Sequence, residues 1–302
     1  MSEKLNTATR SPGALDAMAA SIMVLLCTVW GLNQVAVKVA SVEISPFVQA
    51  GGRSFFSALL VVVWCRFRGI TIFKRDGTLW PGLVTGLLFT LEFAFFFLGV
   101  PRTTAARAVL FFYTAPFFIA IGAHFFLPNE SMRPIHMVGL CLAFLGVSLS
   151  FADSLRSDAS AYSISGDIMC LLAAAFWGMM VVVVKATKLV TIAPERSLLY
   201  QLVMSSILVP VGLLIGEQIP QNLSFVPAIS FVYQVACVAS ASFLTFFWLM
   251  TKYDAAKLGA FIFLAPVFGV FFGWTLLGET VTIGLAVGAA LICGGIWLVN
   301  RR

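Results

Sequence analysis

Three side chains in the first long apolar segment have the types and the spacing to bind a polar solute inside a membrane. Trp30, Asn33 and Gln34 stand at positions i, i+3 and i+4, which places them on one face of a helix. The two amides could bind the charged groups of a zwitterion while the indole contacts a bulky ring. The alternative is that Asn33 and Gln34 only hydrogen-bond neighbouring helices, for about 0.6 kcal/mol each. The spacing by itself leaves both interpretations open.

One carboxylate, Glu92, lies inside the apolar stretch LLFTLEFAFFF (87–97). A charged side chain at the centre of a bilayer costs about 2.5 kcal/mol or more unless it is paired or hydrated, and such residues are functional candidates by default. Glu92 could bind a substrate ammonium, carry a proton, or pair with Arg53 in the preceding apolar segment. It is therefore a candidate substrate-binding residue with a structural alternative.

The segment around Trp30 has a counterpart half a chain away. A tryptophan, a glycine and a lysine recur with the same spacing: Trp30, Gly31 and Lys38 in CTVWGLNQVAVKVA, and Trp177, Gly178 and Lys185 in AAFWGMMVVVVKAT. Met180 stands where the first copy has Asn33, so Trp177 and Met180 would offer an aromatic and apolar lining. We predict Lys38 and Lys185 as gating residues at the two mouths of a cavity. The alternative is that both extend to the membrane interface as anchors.

A second pair of segments, AARAVLFFYTAPFF (105–118) and AAKLGAFIFLAPVF (255–268), matches at an offset of 150 residues. Each copy contains a proline, Pro116 or Pro266, which removes a backbone donor from the middle of a predicted helix. Interrupted helices at corresponding positions of two halves are typical of transporter sites. We predict that these prolines act as hinges, with static kinks as the alternative. The aromatic residues beside them, Tyr113, Phe261 and Phe263, are further candidates for substrate binding.

The composition of the chain predicts the kind of helices that contain these residues. Of the 302 residues, 60% are hydrophobic and 11% are charged, whereas about a quarter of a soluble domain is charged. The apolar residues form blocks of roughly 20, the length that crosses a bilayer as a helix. We predict an all-α, polytopic membrane protein with ten transmembrane helices, at residues 17–39, 46–65, 80–100, 104–127, 134–152, 164–187, 197–216, 226–250, 255–276 and 281–299.

Basic residues are distributed unevenly among the connections between these spans. With the N-terminus inside, thirteen of the nineteen lysines and arginines fall in cytoplasmic segments and two in outer loops, as the positive-inside rule requires. Both termini are therefore predicted to be cytoplasmic, with residues 1–16 as a disordered tail. Topology accounts for the formal charge of +6, so no nucleic-acid partner is implied.

The sequence contains no constellation that is typical of an enzyme. The six cysteines are scattered through apolar blocks without a CxxC or a metal-ligand spacing. No phosphate-binding glycine loop and no Ser/His/Asp set in a suitable context occurs. We therefore predict a protein that is not an enzyme and that holds neither a metal nor a cofactor.

The ordered matches divide the chain into two repeats, residues 17–152 and 164–299, of five spans each. The acidic residues of LPNE (127–130) and LLGE (276–279), Glu130 and Glu279, also correspond. Because five is odd, the second repeat enters the membrane from the opposite side, so the two are related by inverted topology. Secondary transporters built this way bind their substrate at the repeat interface near the middle of the membrane.

Several of these features together resemble a known family. The five-plus-five plan, the Ala-Ala stretch before an AP helix, the acidic residue after LPN and LLG, and the glycine-bearing span that follows resemble the drug/metabolite transporter superfamily. Within it the chain is similar to the EamA-type permeases over residues 17 to 299, and it also resembles the YddG-type aromatic amino acid exporter branch. The first copy departs from the family pattern at LPNES, where the family usually has a glycine before its glutamate.

The resemblance implies an alternating-access secondary transporter that exports amino acids or similar amphipathic metabolites, aromatic amino acids in particular, across the bacterial inner membrane. Its partners would be a small-molecule substrate and the lipid bilayer, and the protein would be a monomer or a weak homodimer. The alternatives are a multidrug or nucleotide-sugar transporter, or a membrane scaffold or intramembrane enzyme that transports nothing. No motif identifies the substrate or the coupling ion.

Overall fold

The computed structural model describes residues 16–99, 102, 111–127, 133–150, 164–278 and 283–301. Residues 1–15 of the predicted tail, and the predicted pair Glu130 and Glu279, lie outside these ranges. The main helices in the described residues are α1 (Ala17–Ala40), α2 (Pro46–Phe67), α3 (Leu79–Gly99), α4 (Ala115–Phe126), α5 (Pro134–Ser150), α6 (Ile164–Ala186), α7 (Pro194–Ser205), α8 (Leu208–Leu214), α9 (Phe225–Tyr233), α10 (Phe243–Met250), α11 (Ala255–Phe261), α12 (Leu264–Leu277) and α13 (Ile283–Asn300).

The chain is a multi-pass membrane protein. Seven helical segments of the described residues are long and apolar enough to cross a bilayer, and they coincide with seven of the predicted spans. Three shorter apolar helices, Ala115–Phe126, Pro134–Leu149 and Val287–Asn300, lie in the remaining three predicted spans. The all-helical membrane class is thus confirmed, while the count of ten spans stays a prediction.

Local sequence sets where the helices begin. Asp16 caps α1, because its Oδ1 accepts a hydrogen bond from the backbone N of Ala19 at 2.7 Å. Pro46 and Pro194 each begin a helix, where the missing N–H of proline has no intrahelical partner to lose. The seventh span therefore starts at Pro194, ahead of the predicted residue 197.

The two proline-bearing segments are interrupted at corresponding places. α4 begins at Ala115 after a turn at residues 113–114, with Pro116 in its first helical turn. In the second half, α11 ends at Phe261 and α12 begins at Leu264, with Pro266 in its first turn. The predicted interruption is present in both halves, and mobility at these breaks stays a proposal.

The eighth span contains a feature that the sequence did not indicate. Between α9 and α10 the backbone forms a π-helix over Gln234–Ser242, which widens the turn and is a frequent feature of functional sites. The Ser240 hydroxyl donates to the carbonyl of Val235, five residues back, at 2.8 Å. The corresponding span of the first half, α3, is α-helical throughout.

Glycines hold the two halves together in a reciprocal way. A Cβ on Gly31 of α1 would lie 2.4 Å from Cβ of Phe268 in α12, and a Cβ on Gly178 of α6 would lie 2.6 Å from Cβ of Phe118 in α4. Phe118 and Phe268 are the equivalent residues of the two copies. The first helix of each half therefore packs closely on the interrupted span of the other half.

The helices α5 and α13 cross in the same symmetric manner. A Cβ on Gly139 would lie 2.7 Å from the carbonyl oxygen of Gly295, and a Cβ on Gly146 would lie 2.5 Å from that of Gly288. Such close backbone approach between membrane helices requires small residues. Gly139 and Gly146 of the first copy correspond to Gly288 and Gly295 of the second, and each contacts the counterpart of the other. A two-fold relation between the repeats produces this pattern.

Candidate substrate-binding cavity

A cavity of about 150 Å³ lies between the two halves of the protein. Its wall is built from α1, α2, α3 and the turn before α4 in the first half, and from α6, α7, the eighth span and the break between α11 and α12 in the second half. Eleven of its 21 lining residues are aromatic. A cavity of this size accommodates a benzene-sized ring, so it fits one small aromatic or aliphatic group.

The structure brings most of the predicted substrate-binding residues to this one cavity. Seven of the nine line it: Trp30, Asn33, Gln34, Glu92, Tyr113, Trp177 and Met180. They come from four elements that are distant in sequence, so only the packing of the helices assembles them.

Phe261 and Phe263 are not among the lining residues. Phe263 is fully buried and its ring packs edge-on against Phe117, with centroids 6.3 Å apart. The carbonyl of Phe261 accepts a hydrogen bond from Cys27 Sγ at 3.1 Å. Ile262, which lies between them in the turn that separates α11 from α12, lines the cavity instead. A break in a helix changes the direction in which the following side chains point. Helical periodicity in the sequence does not predict that change.

Trp30 is held in the cavity wall by a polar anchor and by aromatic neighbours. Its Nε1 donates to Ser242 Oγ at 2.9 Å, and Ser242 in turn donates to the carbonyl of Val238 at 2.6 Å. The Trp30 ring makes an edge contact with Phe246 at 5.5 Å between centroids. Ser242 ends the π-helix, so this irregular element fixes the orientation of the indole.

Trp177 occupies a different setting on the opposite side of the cavity. Its ring is stacked on Phe112, with centroids 5.6 Å apart and an angle of 2° between the ring planes. Phe112 lies directly before the break of the fourth span. Two parallel rings beside a hinge-like turn offer a flat apolar surface to a ligand ring.

Three amide side chains reach the cavity. Gln34 is hydrogen-bonded to Tyr113, whereas Asn33 Oδ1 is buried without a hydrogen-bond partner. Gln201 of α7 lines the cavity as well, and neither its Oε1 nor its Nε2 has a partner. Gln201 is not among the residues predicted from the sequence, although it is an isolated amide in the predicted seventh span.

Arg53 and Glu92 face the same cavity from α2 and α3. The two charges interact electrostatically, yet Arg53 Nε, Arg53 Nη2 and Glu92 Oε2 are buried without a hydrogen-bond partner. The Arg53 guanidinium lies over the ring of Phe93, 4.6 Å from its centroid. Glu92 thus lies near Arg53, as the structural alternative expected. The two side chains nevertheless leave donor and acceptor atoms without hydrogen bonds.

Neither of the two predicted gating lysines lines the cavity. Lys185, at the end of α6, donates a hydrogen bond from Nζ to the carbonyl of Tyr253. Lys38 lies near the opposite end of the molecule, in the last turn of α1, and is exposed. Their role in gating stays a prediction.

A family model and several curated relatives match this chain. Residues 17–152 and residues 164–301 each match the model of the EamA-like transporter family. The chain is 28% identical to the uncharacterized transporter YoaV of Bacillus subtilis over 89% of this chain and 92% of that one. It is 26% identical to a probable amino-acid metabolite efflux pump of Salmonella typhimurium over 92% of this chain and 93% of that one.

The fold also occurs among solved structures. One crystal structure superposes with a TM-score of 0.79 at 19% sequence identity, covering 94% of this chain and 96% of the other. At that identity the likeness concerns the fold alone. The match of the family model to both halves of the chain is what identifies its family.

Proposed function

We propose that this chain, which belongs to the EamA-like transporter family, is a secondary transporter that exports amino acids or similar amphipathic metabolites across the bacterial inner membrane. Aromatic amino acids are its expected substrates. The observation that carries the proposal is the aromatic cavity between the two halves, which contains both apolar ring surfaces and unpaired polar groups. A substrate with a ring and a charged end would satisfy both.

The size of the cavity supports a small substrate over a large one. Pockets for drug-sized ligands measure about 300–1,000 Å³, whereas this cavity measures about 150 Å³. A nucleotide sugar or a typical drug would require a much wider opening of the helices. The multidrug and nucleotide-sugar alternatives are therefore less well supported than export of single amino acids.

The distribution of the lining residues supports alternating access. With both termini in the cytoplasm, Gln34 and Val37 lie in the outer half of α1, and Phe97 lies at the outer end of α3. Towards the cytoplasmic ends, Leu198 and Met250 are almost completely buried. Their burial supports a closed cytoplasmic side, which would have to open before a substrate could load from inside the cell.

The breaks of the fourth and ninth spans are the proposed hinges for that opening. Each break precedes a proline, Pro116 or Pro266, so fewer backbone hydrogen bonds oppose a change of angle. The reciprocal glycine contacts place the first helix of each half directly against the proposed hinged span of the other. Pro116→Ala and Pro266→Ala variants that kept normal transport and unchanged accessibility on both faces would contradict the hinge role.

Flux into proteoliposomes tests the function directly. Purified protein should carry labelled phenylalanine and tryptophan into vesicles, and protein-free vesicles should not accumulate them. Trp177→Leu should reduce this flux, whereas Trp274→Leu serves as the matched control, because Trp274 is exposed on the outer surface of α12. An absence of flux across a broad panel of amino acids, amines and drugs would overturn the transporter function.

A further inference from the structure

We infer that Arg53, Glu92 and Gln201 form a head-group subsite of the cavity that binds the carboxylate and the ammonium of an α-amino acid zwitterion. The inference rests on the proposed function, since it defines the substrate class of the same cavity. It goes further in assigning each charge of the substrate to a residue, and in excluding substrates that carry only one charge.

The first step is the burial of three polar side chains that keep atoms without a hydrogen-bond partner. The exposed fraction is 5% for Arg53, 5% for Glu92 and 0% for Gln201. Five side-chain nitrogen or oxygen atoms of these residues are buried without a hydrogen-bond partner: Arg53 Nε and Nη2, Glu92 Oε2, and Gln201 Nε2 and Oε1. Buried polar atoms are almost always hydrogen-bonded in proteins, so such a cluster facing one cavity indicates a ligand that completes it.

The second step is the chemistry of the unused atoms. A guanidinium presents a planar pair of N–H donors that matches a carboxylate, and Arg53 Nε and Nη2 are such a pair. The unused oxygen of Glu92 is an acceptor for an ammonium group. Gln201 can donate to the carboxylate and accept from the ammonium. Each charged group of an α-amino acid therefore has a partner of opposite character.

The third step is the charge of the site as a whole. Arg53 and Glu92 together carry no net charge, and a zwitterion adds none. An amine without a carboxylate would leave Arg53 unpaired next to the ligand, and an acid without an ammonium would leave Glu92 unpaired. Because leaving a buried charge without a partner is strongly unfavourable, the site should discriminate against both.

The remainder of the cavity is suited to the rest of such a molecule. The stacked rings of Phe112 and Trp177 line the same space. Phe93, over which the Arg53 guanidinium lies at 4.6 Å, holds that side chain in place by a cation–π contact. A whole aromatic amino acid is larger than the benzene-sized space of this cavity. Once the helices part to admit it, its head group and its ring would meet polar and apolar walls of a single cavity.

Three related probes test the inference: phenylalanine, phenethylamine, which lacks the carboxylate, and 3-phenylpropionate, which lacks the ammonium. In proteoliposomes the wild-type protein should prefer phenylalanine to either analogue by at least about 100-fold, as expected where a missing polar group leaves its buried partner unpaired. Arg53→Gln should shift the preference towards phenethylamine, and Glu92→Gln should shift it towards 3-phenylpropionate. Arg68→Gln, which changes an exposed arginine beyond α2, is the control and should leave the preference unchanged.

The wild-type result alone decides the inference if a variant fails to fold. Equal transport of all three probes by the wild-type protein would overturn the head-group subsite and leave the transporter function standing. The head-group subsite would also be overturned if both variants folded and both kept the wild-type preference for phenylalanine. Failure of the wild-type protein to carry any probe, or any solute of the broader panel, would instead refute the proposed function.

Discussion

Two arginines are buried in the part of the chain that the structure describes, each beside an acid, and they are used differently. Arg196 of α7 donates from Nη1 to Asp76 Oδ2 at 2.7 Å, from Nε to the carbonyl of Ile72 at 3.1 Å and from Nη2 to the Thr78 hydroxyl at 3.4 Å. Arg53, equally buried, keeps Nε and Nη2 without a partner. The first arginine has its donors occupied by the protein, and the second has donors that are unoccupied.

The contrast separates a structural charge from one that is available to a ligand. Arg196 fastens the connection between α2 and α3 to the start of α7, so its hydrogen bonds contribute to the folded state. Arg53 and Glu92 contribute proximity without hydrogen bonds between them, and charges held in this way destabilise a fold unless something completes them. Removing a charge should therefore change the selectivity of transport at Arg53 and Glu92, and leave it intact at Arg196 and Asp76.

The largest effect is expected from removing a charge of the cavity. Arg53→Gln and Glu92→Gln should each lower phenylalanine flux by about 100-fold. The melting temperature should fall as well, because each change leaves the other buried charge without its neighbour. Flux in proteoliposomes and thermal unfolding in detergent measure the two quantities. If the Glu92→Gln variant kept its selectivity for zwitterions but its transport no longer depended on a proton gradient, Glu92 would be a proton carrier instead of a ligand.

A different pattern is expected at the other arginine. Arg196→Gln removes contacts to Asp76, Ile72 and Thr78, so the melting temperature should fall by several degrees while the selectivity among the three probes stays the same. Arg68→Gln again provides a control, because that arginine is exposed. A loss of selectivity in a folded Arg196→Gln protein would contradict the division between the two regions.

A change at Gln201 should affect stability and transport in opposite directions. Gln201→Leu removes two buried amide atoms that lack partners, and a buried polar group without a hydrogen bond costs about 1–3 kcal/mol. We therefore expect the free energy of unfolding to rise by about 1 kcal/mol while phenylalanine transport declines. Denaturant or thermal unfolding without substrate measures the gain. A variant destabilised like a packing mutant would mean that Gln201 is needed for the fold.

The smallest effect concerns pH at the structural pair. The hydrogen bonds from Arg196 and then from Thr78 hold the pKa of the Asp76 carboxyl well below its ordinary value. A lowered folded-state pKa stabilises the protein fully above the unfolded value of about 4, and that contribution is lost as the pH falls through the folded-state pKa. Wild-type protein should lose this part of its stability only below about pH 4.

Asp76→Asn is the control for the pH effect. It should flatten the acid limb of a plot of melting temperature against pH by the share that Asp76 contributes, and leave the neutral limb lower and level. An identical acid limb in both proteins would show that the Asp76 contact does not contribute to stability.

Part of the cavity was predictable from the sequence for a clear reason. Glu92 and Asn33 are polar residues inside apolar segments, and an intramembrane polar group is unfavourable wherever it lies. Trp177 and Tyr113 were identified because repeated segments contain them. Residues without either signal, such as Phe96 and Val238, were not distinguished from the other apolar residues, yet they line the cavity.

The sequence alone determined the membrane class, the positions of the apolar helices, the two related halves and the breaks near Pro116 and Pro266. These features depend on composition, on repetition along the chain and on the loss of a backbone donor at proline, all of which are local properties.

Only the tertiary structure decided which residues share the cavity. It brought Arg53, Glu92 and Gln201 to one cavity, turned Ile262 inwards in place of Phe261 and Phe263, and formed the π-helix that orients Trp30. The physical reason is that lipid tails are as apolar as the protein interior. Hydrophobicity therefore does not reveal which face of a membrane helix meets lipid, which meets another helix and which meets a substrate.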